Sequence, residues 1–129
     1  MRKTLFPAVV LLALGCSPAV AQSGVAYIDQ IGTANASTLL QSGYGNSGAI
    51  RQNGTSNYAL TLQSGAANRA SIEQAGGSNI ATVNQRGNAS ATVEQFGSRN
   101  MASSFQAPGT GPVTITQYGS AKVRVVTLR

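Results

Sequence analysis

Glutamine recurs along this chain at Gln30, Gln41, Gln52, Gln63, Gln74, Gln85, Gln95, Gln106 and Gln117, a step of eleven residues broken once by a step of ten. Glycine stands two places after most of them, at Gly32, Gly43, Gly54, Gly65, Gly76, Gly87, Gly97 and Gly119. Asparagine takes the fifth place at Asn35, Asn46, Asn57, Asn68, Asn79 and Asn100. The unit is Q-x-G-x-x-N followed by five residues. A unit this short cannot enclose a core of its own, so the chain must fold by stacking units on one another.

Between each asparagine and the next glutamine the residues alternate. Asn68, Ala70, Ile72 and Gln74 share one parity, and Arg69, Ser71 and Glu73 share the other. A period of two means a strand. Strands of about seven residues then alternate with four-residue arcs centred on glycine, which supplies backbone conformations that a side chain would oppose. Two units make one coil of about 22 residues, with residue i lying over i+22 at a spacing of roughly 4.8 Å. Ten half-repeats, the last ending near Leu128, make five coils. The expected fold is all-β, a cross-β solenoid of two facing parallel sheets. A meander of antiparallel hairpins is the competing arrangement, but it opposes unlike positions, whereas a solenoid stacks identical residues on themselves.

The inward parity collects Ile28, Leu39, Ile50, Ile72, Val83, Val93 and Ile115, with small residues such as Ala59, Ala70, Ala81 and Ala102 beside them. This is a thin core whose small residues let the sheets approach closely. Stacked amides satisfy one another across layers, so Gln30, Gln52, Gln74, Gln95 and Gln117 are expected to line one sheet, and Gln41, Gln63, Gln85 and Gln106 the other. Each such bond contributes about 1 kcal/mol net. The outward parity differs between sheets. Odd-numbered strands of the repeat region present Tyr27, Asp29, Arg51, Arg69, Glu73, Glu94 and several threonines, whereas even-numbered strands present Leu40, Tyr58, Leu60, Leu62, Ile80, Met101 and Phe105. An exposed apolar strip of this kind points to association with another filament or a partner protein.

Ahead of the repeats, Arg2 and Lys3 precede an apolar run from Leu5 to Leu14 and small residues ending at Ala21. That is the pattern of a secretory signal peptide, too short to span a bilayer as a helix. Residues 1–21 are therefore expected to be cleaved, leaving residues 22–129 as the solenoid. A competing reading makes Leu12–Cys16 a lipoprotein box with a lipid on Cys16. Cleavage after Ala21 removes the single cysteine and two of the nine basic residues, leaving seven against three acids, a formal charge of +4. So scattered a charge forms no basic stripe for nucleic acid.

The chain has no histidine, and its acids are Asp29, Glu73 and Glu94. All three are placed outward on the odd sheet, two or so layers apart, as a solvated charge ladder rather than a pair for acid–base chemistry. No enzyme activity, cofactor or metal site is expected, since the arcs offer Gly, Ser, Ala and Asn rather than recurring aspartate. A soluble surface adhesin on the same scaffold is the remaining rival, with Tyr27, Tyr44, Tyr58 and Tyr118 as contact residues.

Through segments such as QSGAANRASIEQAGGSNIATVNQ and VTITQYGSAK, the chain resembles the curlin repeat family of curli amyloid subunits. The resemblance implies a secreted, cell-surface fibre subunit for adhesion and biofilm. Its implied partners are further copies, a major subunit, the outer-membrane export channel and accessory surface proteins. Within the family it looks more like the minor, nucleating subunit, because the unit from Tyr118 to Arg129 is basic and lacks the last glutamine. The resemblance makes Lys122, Arg124 and Arg129 candidates for holding the protein at the cell surface. Lys122 and Arg124 fall on inward places, so the last strand is expected either to slip by one residue, turning Val123 and Val125 inward, or to detach. Family members carry a stretch between signal and repeats that the export channel recognises; here only Gln22 and Ser23 precede the first strand. Growth is expected at the regular amino-terminal edge. A distorted arc is expected where Pro108 takes a glycine place and Pro112 opens the next strand.

Overall fold

The computed structural model describes residues 9–14 and 24–129. Eleven strands make up the described residues: β1 (Val9–Leu14), β2 (Val25–Thr33), β3 (Ala36–Tyr44), β4 (Ser47–Thr55), β5 (Tyr58–Ala66), β6 (Arg69–Gly77), β7 (Ile80–Arg86), β8 (Ser90–Ser98), β9 (Met101–Gln106), β10 (Val113–Ser120) and β11 (Val123–Leu128). They form two sheets, one in the order β1-β3-β5-β7-β9-β11 and the other in the order β10-β8-β6-β4-β2. Every pairing is parallel, and Ile28 lies against Ile50 and Ile50 against Ile72, one step of the coil each time. This is a β-solenoid of five coils, and the parallel register rules out the hairpin meander.

Most strands run nine residues, longer than the seven expected. The reason lies in the arcs. Pairing continues past the glutamine through the glycine, as Gln52, Asn53, Gly54 and Thr55 stand in register with Gln74, Ala75, Gly76 and Gly77. Glycine is obligatory there: a Cβ on Gly54 would lie 1.9 Å from the carbonyl oxygen of Gly76 in the next coil, and its φ is 130°. The reversal is confined to the residues that follow, where Ala34, Ser56, Ala67, Ser78, Arg99 and Ala121 have φ between 55° and 58°. Each regular arc therefore contains a second left-handed residue, and most of these are not glycine; the Ala107–Pro112 arc has Gly109 alone in that region.

The core lies between the sheets. Leu39, Ile50, Ile72, Val83, Val93 and Ile115 are buried, with Ala59, Ala70, Ala81 and Ala102 packed among them. Ile28, in the first coil, is partly buried. Leu39 fits because its neighbour in the facing sheet is Gly48, where a Cβ would come within 2.5 Å of the leucine Cδ1. The ten-residue step is absorbed in the arc after β7. Asn88 has φ 47°, and Ala89 takes the place of the stacked asparagine.

Two features of the ends differ from expectation. β11 neither slips nor detaches: Arg124 pairs with Ala102 and Leu128 with Gln106, in unbroken register with β9. Arg124 occupies an inward place yet is exposed, because no further coil of this structure covers it, and Val123 and Val125 remain 70% and 61% exposed. At the other end β1, drawn from the stretch read as a signal peptide, pairs along the free edge of β3. Cleavage after Ala21 and lipidation at Cys16 fall outside the described residues. Ala107–Pro112 is irregular, with Thr110 Oγ1 donating to Ala107 O at 2.8 Å.

Candidate functional site

Amide side chains, which an ordinary apolar core excludes, are the most regular part of this one. Gln52, Gln74, Gln85 and Gln95 are fully buried. In the five-stranded sheet Gln30 Nε2 donates to Gln52 Oε1, Gln52 to Gln74, Gln74 to Gln95 and Gln95 to Gln117, at 2.6–2.8 Å. In the other sheet Gln41 donates to Gln63, Gln63 to Gln85 and Gln85 to Gln106 at 2.7–3.0 Å. From Gln41 onward the second hydrogen of Nε2 goes to a backbone carbonyl across the core, as from Gln52 to Ala36 O and from Gln74 to Tyr58 O, whereas that of Gln30 goes to Ser37 Oγ. Each interior glutamine thus has both its donors and its acceptor engaged, which removes the penalty for burying an amide.

The asparagines serve the arcs. Asn57 Nδ2 donates to Gly76 O in the next coil at 3.1 Å and to Asn35 Oδ1 in the previous one at 3.2 Å, while the Asn57 backbone N–H donates to the same Asn35 oxygen. The asparagine row Asn35, Asn57, Asn79, Asn100 donates backward along the stack, and the glutamine rows donate forward. In the companion row Asn68 Nδ2 donates to Asn46 Oδ1. Asn100 Oδ1 accepts from the backbone N–H of Lys122, which stands where the next asparagine would be.

The outer faces of the two sheets differ. Tyr58, Ile80, Met101 and Phe105 stand 38–42% exposed on the six-stranded sheet, beside the half-buried Leu40, Leu60 and Leu62. The five-stranded sheet carries the charges: Arg51 Nε lies 3.9 Å from Asp29 Oδ2, and Arg51 is in register with Glu73. Glu73 and Glu94 are in register in adjacent coils, closer than the two layers expected, because the ten-residue step falls between β7 and β8 and leaves the strand phase intact. Thr116 Oγ1 donates to Glu94 Oε2 at 3.5 Å. Phe96 and Tyr118 stack with centroids 5.3 Å apart. Among the described residues no group of three or more metal-binding side chains comes together.

Sequence reasoning did not resolve the direction of the amide ladders, nor the buried hydroxyls of Thr61 and Ser104, which take aliphatic places on β5 and β9 and have no hydrogen-bond partner. The alternation on β5 and β9 contained that signal: both residues sit on the inward parity.

The curlin associated repeat family model matches the chain twice, over residues 45–76 and 54–87. These spans cover the centre of the stack, and the same register continues on both sides of them. No curated protein matches the chain, and no solved structure does.

Proposed function

Because the chain carries curlin associated repeats, the repeat of curli-type amyloid subunits, we propose that it is the minor subunit, which nucleates polymerisation of a major subunit at the cell surface. The observation that carries this reading is the unequal chemistry of the two ends. The amino-terminal coil has glutamine in both strands, whereas the β10–β11 coil replaces the second glutamine by Leu128 and brings Lys122 and Arg124 into the places of asparagine and alanine. A charged outer strand resists addition of another strand on that side. A regular outer strand offers a template. On this reading the basic residues Lys122, Arg124 and Arg129 hold the β11 end at the cell surface or against accessory proteins, and the opposite edge starts the fibre. Secretion follows removal of residues 1–21 and passage through an outer-membrane export channel. The apolar outer face of the six-stranded sheet is the surface for lateral bundling.

The test is to add the processed chain, Gln22–Arg129, in substoichiometric amounts to a purified curli-type major subunit and follow thioflavin fluorescence. The lag is expected to shorten at ratios near one to a hundred. An unchanged lag at every ratio contradicts nucleation and favours a building-block role, and a dye-silent monomer under all conditions favours a soluble adhesin.

A further inference from the structure

The glutamine ladders have a direction, and that makes the two edges of the stack chemically unequal. Nε2 always donates onward to the next coil, so each Oε1 is filled from the coil before it. In the first coil no described residue fills them. Among the described residues neither Gln30 Oε1 nor Gln41 Oε1 has a hydrogen-bond partner, although both atoms are buried and Gln41 as a residue is only 3% exposed. β1 lies along this edge with Leu14 in register with Gln41, and the oxygen still has no donor.

The far edge does not mirror this one. Gln117 Nε2 donates to Met101 O and to no further glutamine, so the ladder of the five-stranded sheet ends on a donor. The other ladder is closed off. Gln106 Nε2 donates to Ser90 O and to Gly111 O in the irregular segment, and beyond it stands Leu128.

We propose that the amino-terminal edge formed by β2 and β3 is a docking site for a coil of a different chain, one that carries glutamine at the ladder place in both strands. Such a coil, stacked parallel, would donate one amide hydrogen to Gln30 Oε1 and one to Gln41 Oε1. This chain's own β10–β11 coil is a mismatched occupant: Gln117 would serve Gln30, but Leu128 would cover Gln41 Oε1 and supply nothing. Burying an acceptor without a donor weakens an interface by about tenfold, or about 1.4 kcal/mol. The fault is confined to the Leu128 place, since both Gln106 Nε2 hydrogens are already taken by Ser90 O and Gly111 O. The inference rests on the reading as a fibre subunit and adds to it a rule of selection: glutamine at the ladder place of both strands, which this chain's own last coil lacks, so end-to-end growth favours a second kind of chain over a second copy of this one.

The test uses the processed chain, Gln22–Arg129, its variants Leu128→Gln, Leu128→Val and Gln117→Leu, and the soluble concentration left at equilibrium with sonicated fibres. Leu128→Gln is expected to lower that concentration about tenfold, Leu128→Val to leave it unchanged, and Gln117→Leu to raise it. Gln117→Leu keeps the test decisive even where the Leu128 variants fold poorly. Equal concentrations for the parent chain, Leu128→Gln and Gln117→Leu overturn the inference and leave the fibre reading standing. Failure of every variant to form or extend fibres overturns both.

Discussion

The two sheets grow from one repeat template but place their apolar residues on opposite sides. The five-stranded sheet puts Ile28, Ile50, Ile72, Val93 and Ile115 inward and shows solvent Asp29, Arg51, Glu73 and Glu94. The six-stranded sheet has Leu39, Thr61, Val83, Ser104 and Val126 in the matching inward places, two of them hydroxyls, and carries Leu60, Leu62, Ile80, Met101 and Phe105 outside. The first sheet therefore contributes most of the apolar packing that closes the coil. The second contributes a surface. What both share is the glutamine row, which sets register without depending on bulk.

The shared element is where substitution should hurt most, and equally on both sides. Gln74→Leu leaves a Gln52 N–H and Gln95 Oε1 without partners, and Gln85→Leu does the same to Gln63 and Gln106. Each is expected to cost about 4 kcal/mol, from two buried groups at about 1–3 kcal/mol each. Urea unfolding followed by circular dichroism measures both, and a large difference between them would deny the ladders an equal role. Next comes the core. Ile72→Ala should cost about 3 kcal/mol, whereas Thr61→Val should stabilise by about 1 kcal/mol, since it replaces a buried, unpartnered hydroxyl by a methyl of the same shape. If Thr61→Val destabilised, the inner face of the six-stranded sheet would be polar for a reason other than tolerance. In the arcs, Ala67→Gly should add about 0.5 kcal/mol by relieving a left-handed alanine. The smallest effect on stability belongs to the outer face: Leu60→Ser with Leu62→Ser should leave the unfolding midpoint nearly unchanged while reducing lateral bundling in electron micrographs. Unaltered bundles would remove the association role of that face.

Much of the fold was legible because the repeat is strict. The spacing of Gln30 to Gln117 fixes a coil of two units, and the alternation around Ile72 fixes which face is inside; the structure has both. The rest depended on facts that a one-dimensional pattern does not carry. The strands outrun the alternation because glycine is not itself the reversal: Gly54 still pairs with Gly76 and the chain turns at Ser56. β11 was expected to slip because a buried arginine is untenable; the place is inward by register but open to solvent at the edge, so no slip is needed. The direction of the ladders is a choice between two amide orientations that the sequence leaves equal. It becomes visible only once each Nε2 and each backbone carbonyl across the core are located together.

Coils of this chain that continue a stack across molecules would show themselves in fibre diffraction. Aligned assemblies grown from Gln22–Arg129, or from a major subunit seeded by it, are predicted to give a meridional reflection near roughly 4.8 Å and an equatorial one near roughly 10 Å. A chain that stays monomeric at every concentration and seeds nothing, or that yields only amorphous material without these reflections, would contradict the account.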